Sequence, residues 1–243
     1  MDVSRNGRQV GRVVGLWRYP VKSMGGEVLS EIDVSWHGLA GDRRWAFIRN
    51  AVPRSGFPWL TLRERGDMSH YRPSFVEPDR PDESGLVVRT PEGVDHVIDD
   101  PALAAHLAPD GARLLKQDRG IFDTFSLSLV STRTLAELSD AVGLPLDVHR
   151  FRPNILVETT EEGESPEDAW VGRVLRVGAM RMRIDKRDGR CVVITIDPVT
   201  TERNPLILKT VARDRDGCVG VHGSTVEPGR VAMHDAVFIE SPE

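Results

Sequence analysis

The order of apolar and polar positions predicts short strands through the first hundred residues. In EVLSEIDVS (27–35), Val28, Ile32 and Val34 fall on one face and Glu31 and Asp33 on the other, the two-residue period of a half-buried strand. VVGLW (13–17) runs apolar until Tyr19-Pro20, where a proline without an N–H ends a central ladder. WHGLAGD (36–42) reads as a turn and RRWAFIRN (43–50) alternates again, while LVVR (86–89) and HVID (96–99) frame TPEG (90–93) as a hairpin. A small antiparallel barrel or sandwich fits this spacing.

Asp100-Pro101 supplies an N-cap and a first-turn proline for a short helix over 102–108, ended by Pro109, Asp110 and Gly111. The domain boundary is placed there, giving one domain over 10–100 and a second over 101–240. Beyond it RLLKQ (113–117), LSLVS (127–131), RPNILVE (152–158), VLRVG (174–178), residues 181–186 and CVVITID (191–197) read as strands, the last apolar enough to be covered on both faces. Ser131 caps a helix over 132–142 that buries Leu135, Leu138 and Val142 before stopping at Gly143. Asn204-Pro205 starts another helix over 206–212, and the tail alternates strand and turn. The expected class is mainly β, a β-barrel-rich α+β fold in which an N-terminal β-barrel domain packs on a second β-barrel domain with a few short helices.

Composition narrows the picture. With 243 residues, 40% hydrophobic and 28% charged, the chain can bury a core without disulfides or metal staples. A net charge of −5 argues against general nucleic-acid binding, so any anion site is local. No stretch approaches the ~20 apolar residues of a membrane span. The polar start MDVSRNGRQV and only two cysteines, Cys191 and Cys218, lead us to expect a reduced, cytoplasmic chain without a signal peptide or a membrane partner.

Four segments carry candidate chemistry. In LWRYPVKSMGGE (16–27), Lys22 and Ser23 sit in a turn before Gly25-Gly26, either a phosphate cradle or a solvated loop. In GDRRW (41–45), Arg43 and Arg44 point to opposite faces, and the inward guanidinium needs an anion, either Asp42 or a ligand phosphate. In RFRPNILVE (150–158), Arg152 and Asn154 either bind a polar heterocycle or anion, or close a turn with Arg152 paired to Glu158. In RDGRCVVITID (187–197), Lys186, Arg187 and Arg190 precede Cys191, and neighbouring cations favour the thiolate that binds metals or attacks electrophiles; the alternative is inert packing. Cys218, between glycines, reads as packing. A zinc site from Cys191, Cys218, His222 and His234, or a cysteine hydrolase using His149, His222 or His234 as base, lacks any supporting local spacing.

YPVKS (19–23), GLAGDRRW (38–45), FRPN (151–154) and RCVVITIDPVT (190–200), in this order, resemble the MOSC superfamily with its N-terminal MOSC β-barrel domain, and within it the mitochondrial amidoxime-reducing components and their bacterial counterparts. The resemblance implies molybdenum cofactor in its molybdopterin form, with Cys191 as the metal ligand. Lys22, Ser23, Arg43, Arg152, Asn154, Thr124, Ser131 and Arg190 then match residues that hold or line the cofactor. It implies reduction of small N-hydroxylated compounds, with electrons from a separate ferredoxin, flavodoxin or cytochrome b5-like protein, since no cysteine cluster here could hold an iron–sulfur centre. A carrier of the cofactor or of persulfide sulfur is the alternative, and an interaction module a third. Asp185 and Asp197 are the candidate proton donors. Gly189 stands where the family often has serine.

Overall fold

The computed structural model describes residues 7–50 and 57–241, so residues 1–6 of the polar N-terminal segment lie outside the described residues, as do 51–56 and 242–243. In chain order come β1 (Gly7–Arg18), β2 (Glu27–Val28), β3 (Glu31–Ser35), β4 (Gly38–Leu39), β5 (Trp45–Arg49), β6 (Arg72–Phe75), β7 (Leu86–Arg89), β8 (Asp95–Val97), α1 (Pro101–Leu107) and β9 (Ala112–Lys116). They are followed by β10 (Leu127–Ser131), α2 (Thr132–Val142), β11 (Ile155–Thr159), β12 (Val174–Val177), β13 (Met180–Gly189), α3 (Pro205–Asp214), β14 (Cys218–Glu227), β15 (Gly229–Ala232) and β16 (Ala236–Glu240).

The fold is mainly β, as the alternation predicts. One sheet runs β11, β10, β14, β13, β12, β16, β1, and β1 pairs back onto β11 to close a barrel. Closure leaves these seven strands no free edge. All neighbours are antiparallel except β10 and β11. Within the barrel β1 serves two partners, β16 through its first half and β11 through its second. Gly11 lies at the exchange, where a Cβ would stand 2.4 Å from the Glu158 carbonyl oxygen, so glycine lets the strands close up. Val10, Val13, Leu16, Leu129 and Ile155 point into the barrel core.

The two halves exchange strands. β1 is a stave of the second-half barrel, β15 from the tail pairs with β3, and β9, beyond α1, pairs with β5 from Trp45 opposite Lys116 to Arg49 opposite Ala112. Around a second core that includes Val21, Met24, Phe47 and Leu103 lie the β5–β9 pair, α1 and a β6–β7–β8 sheet. The hairpin over 86–99 is present, with Val87 opposite Val97. β6 had no signal of its own: Pro73 lies within it, tolerated because β6 is an edge strand. A third core joins α2 and α3 through Leu138, Ile207 and Val211. Asp100, Ser131 and Asn204 cap the three helices, and Gly143 ends α2 at φ 79°.

Two strand expectations are corrected. EVLSEIDVS is two strands, because Glu27–Val28 pairs with β1 while Glu31–Ser35 turns to β4 and β15. CVVITID is no strand: residues 192–195 form a 3-10 turn, with the Ile194 N–H donating to the Cys191 carbonyl at 3.2 Å. The run is apolar because it joins two cores, Ile194 packing with the helices and Ile196 with the first-half core.

Candidate functional site

A cavity of about 310 Å³ opens where the turn after β1, the start of β5, the segments 61–63 and 122–125, the turn before β11 and the end of β13 converge. Six cationic side chains line it against two carboxylates, Asp123 and Asp188. That excess makes it receptive to an anion within an acidic chain.

At one end stand Lys22, Arg43 and Arg152. The Arg43 guanidinium lies 4.7 Å and that of Arg152 4.3 Å from the centre of the Tyr19 ring, so one buried aromatic side chain holds two cations in place. Arg43 pairs with the fully buried Asp42 and donates to the Arg152 carbonyl at 3.0 Å. Asp42 also accepts from the Tyr19 N–H at 2.7 Å and from the Asn154 amide at 3.2 Å. The Nη2 of Arg152 is buried without a hydrogen-bond partner, an arrangement that costs free energy until an acceptor arrives. Burial pushes Arg152 down to about 10, leaving it cationic at neutral pH, and pushes Tyr19 up to about 12 against the pull of both arginines. Burial also lowers Lys22, which Asp123 partly offsets; Lys22 donates to Asp123 and, at 3.1 Å, to the Ile121 carbonyl. Ser23, Arg43 and Arg152 have φ of 70°, 49° and 52°, three of the seven non-glycine residues in the left-handed region among those described. Backbone strain of this kind clusters at binding and catalytic sites.

At the other end is Cys191, half-buried after β13. The cation beside its sulfur comes from a distant segment: Arg63 Nη2 lies 3.6 Å from Sγ, and its guanidinium stacks 4.7 Å from the Phe57 ring centre. Arg187 instead pairs with Asp168 and Asp216, and Arg190 donates to the Val219 and Phe151 carbonyls. Asp188 is buried between Arg190 at 2.7 Å and His222 Nε2 at 3.0 Å. Burial works to raise its carboxyl, but Arg190 and His222 hold it below the ordinary value of 3.8.

Lys22, Ser23, Arg43, Thr124, Arg152, Asn154, Arg190 and Cys191 all line the cavity. Ser131 does not: fully buried, it caps α2 through the Thr134 N–H and donates to Glu167 at 2.7 Å. Asn154 lines the wall with its amide engaged, its nitrogen donating to Trp17 and Asp42 and its oxygen accepting from Ser128. The Arg152–Glu158 pair is absent, since Glu158 takes Arg12. Arg44 turns away to Asp82. Asp185 and Asp197 lie outside the cavity, bonded to Ser224 and Arg183 and to Arg150. Cys218 is half-buried at the start of β14. No group of three or more His, Cys, Asp or Glu suited to a metal ion occurs among the described residues. Sequence reasoning passed over Tyr19, Arg63, Asp123 and Asp188. Tyr19, inside YPVKS, and Asp188, inside RDGRC, lay within the motifs, and Asp123 stands beside Thr124; Arg63 had no such signal.

Fold and site together define a two-domain β protein whose shared cavity combines an anion-receptive wall with a thiol. The MOSC N-terminal beta barrel domain matches residues 10–119 and the MOSC domain residues 116–238, and the chain belongs to this family. It is 31% identical over 235 residues to the molybdenum cofactor sulfurase of Drosophila yakuba, covering 82% of this chain and 29% of that one. The molybdenum cofactor sulfurase of Drosophila erecta is 30% identical over 248 residues, covering 86% of this chain and 31% of its own. The chain thus spans less than a third of the length of these relatives. The crystal structure of the YUAD protein from Bacillus subtilis shares the fold, with a TM-score of 0.55 at 14% identity over 97% of this chain and 98% of that one. No helix among the described residues is long and apolar enough to cross a membrane.

Proposed function

We propose that the cavity binds molybdenum cofactor and that the protein reduces small N-hydroxylated compounds such as amidoximes and hydroxylamines. The observation that carries this reading is the pairing, in one cavity, of an unpartnered Arg152 Nη2 beside Arg43 and Lys22 with a thiol at the other end. The residues fit the group. A terminal phosphate needs fixed cations and hydroxyls, which Lys22, Arg43, Arg152, Ser23 and Thr124 offer, and a soft thiolate suits molybdenum. A Cβ at Gly189 would meet nothing within 4 Å, so the space of the family's serine is open.

When bound, the cofactor supplies two-electron redox chemistry, by which an N-hydroxyl compound, two electrons and two protons become the amine and water. Within the chain, the Tyr19 ring orients the two guanidiniums, and buried Asp42 and Asn154 keep Arg43 facing the cavity. Cys191 is the metal ligand, with Arg63 as the cation at its sulfur. Phe125, Val193 and Ile194 add apolar surface to the cavity wall. The electrons come from a separate redox protein of ferredoxin, flavodoxin or cytochrome b5-like type, in the cytoplasm.

The sulfurase relatives favour a second reading, in which Cys191 carries persulfide sulfur or the protein delivers the cofactor without turnover. Expression in a host that makes molybdenum cofactor, followed by metal analysis and benzamidoxime reduction with a dye as donor, separates them. Molybdenum with turnover supports the reductase; molybdenum without turnover, or a persulfide on Cys191, supports the carrier.

A further inference from the structure

The turn that holds Cys191 is built on an irregularity between β13 and β14. Lys186 pairs with His222 and Arg187 with Val221, but Gly189 pairs with Cys218, so Asp188 falls where the ladder skips Val219 and Gly220. A bulge of this kind re-aims a side chain. Gly220 permits it with φ 72° and a close approach, since a Cβ there would stand 2.6 Å from the Leu129 carbonyl oxygen. The Val219 carbonyl is taken by the Arg190 guanidinium, at 2.9 Å from Nε and 2.6 Å from Nη2, while Nη1 reaches the Phe151 carbonyl at 2.9 Å. Asp188 joins this arginine to His222, whose other ring nitrogen faces the Leu127 carbonyl at 3.3 Å. A continuous linkage therefore runs from β10 through β14 to the residue next to Cys191. Aspartate, arginine and histidine here are all largely buried, where hydrogen bonds to a carboxylate act strongly.

We propose that Asp188 is a positioning residue for Cys191: through His222 and Arg190 it fixes the turn that presents the thiol to the cavity. This rests on Cys191 being the reacting group of the proposed function, but it needs neither cofactor nor turnover, so the two can fail separately. Breaking a charged hydrogen bond of this kind loosens the turn by a factor of about ten.

The test is alkylation of the full chain, purified without cofactor, by iodoacetamide at neutral pH, in a Cys218→Ser background that leaves Cys191 as the single thiol. Asp188→Asn, His222→Gln and the double variant are compared with that parent, with thermal unfolding recorded for each. If the linkage positions the turn, both single variants speed alkylation by about tenfold, and the double variant gains little more, because one connection has been cut twice. A purely through-space charge effect gives opposite signs: losing the carboxylate speeds the reaction, whereas losing the imidazole leaves that carboxylate less compensated and slows it. Opposite signs, unchanged rates, or fully multiplicative single effects would each overturn the proposal. Where Asp188→Asn does not fold, His222→Gln alone decides: faster alkylation supports the linkage, slower or equal alkylation refutes it.

Discussion

The two ends of the cavity are built on different principles. At the cationic end most of the scaffold is buried: the Tyr19 ring carries two guanidiniums, Asp42 takes three donors, and Asn154 has its amide engaged. The backbone there is held in left-handed conformations at Ser23, Arg43 and Arg152. At the thiol end Cys191 is half-exposed, its one cation reaches over from residue 63, and the turn beneath it depends on an irregular strand pair. Fixed charges suit a ligand group that must be bound and never changed, since preorganised cations need no rearrangement. A less enclosed thiol suits the place where a ligand is attached and a substrate must enter. The separation predicts that binding and chemistry can be lost independently.

The largest effect should come from Cys191→Ala. Outer-shell partners of a metal typically cost 10–100-fold, so losing the ligand itself should reduce dye-linked benzamidoxime reduction by more than about 100-fold. Pterin content of the purified protein should stay near the parent value, because the cationic end is untouched. Activity equal to the parent would remove Cys191 from the metal, and loss of the pterin as well would erase the distinction between the ends.

Arg152→Ala attacks the other end. Removing a charged donor costs about 1.5–3 kcal/mol, so cofactor retention through gel filtration, read by pterin fluorescence, should fall about 10–100-fold in affinity. In the cofactor-free proteins, iodoacetamide should meanwhile modify Cys191 at the parent rate. A change in that rate would mean that the two ends are mechanically coupled.

Acid sharpens the comparison at the thiol end. Asp188 is held below its ordinary value of 3.8, so the folded state releases its proton more readily than the unfolded chain. Its stabilisation is complete above about pH 4 and lost as the pH falls through the lowered folded value. Breaking a buried ion pair costs about 3 kcal/mol, so Asp188→Asn should unfold about 6–12 °C lower at neutral pH. As the pH falls from about 4 through that lowered folded value, the two melting curves should converge. A gap that stays constant through the acid range would mean that the Asp188 charge contributes nothing to the fold.

Local rules made much of this molecule readable. Asp100, Ser131 and Asn204 as helix caps follow from side-chain chemistry at one turn, and Val87 opposite Val97 from a hairpin signal. The segments lining the cationic end were readable through their resemblance to a family, because the residues alone left a solvated loop or a closed turn open. What escaped depends on contacts distant in the chain. Arg63 lies 128 residues from Cys191, and the sequence neighbours Lys186, Arg187 and Arg190 offered a false partner. CVVITID looked like a strand because burial in two cores produces the same apolar run as burial in a sheet. β1 as a stave of the far barrel is a matter of topology, which periodicity does not encode.

Ser131 belongs to neither end, and that makes it the smallest and cleanest test. It follows the cavity-lining Ser128 by three residues, yet its hydroxyl accepts from the Thr134 N–H at 3.1 Å and donates to the buried Glu167. Removing an N-cap hydroxyl costs about 1 kcal/mol, and Glu167 keeps the Ser131 N–H and the Thr134 hydroxyl as donors. Ser131→Ala should therefore lower the urea midpoint by an amount worth about 1 kcal/mol, without changing pterin content or the alkylation of Cys191. Because α2 packs on α3, whose core includes Ile194 of the thiol-bearing turn, a helix loosened at its cap could reach Cys191 only through that packing. Unchanged alkylation alongside reduced stability would limit the site to the two ends of the cavity, whereas lost pterin would make the α2 cap part of the binding wall.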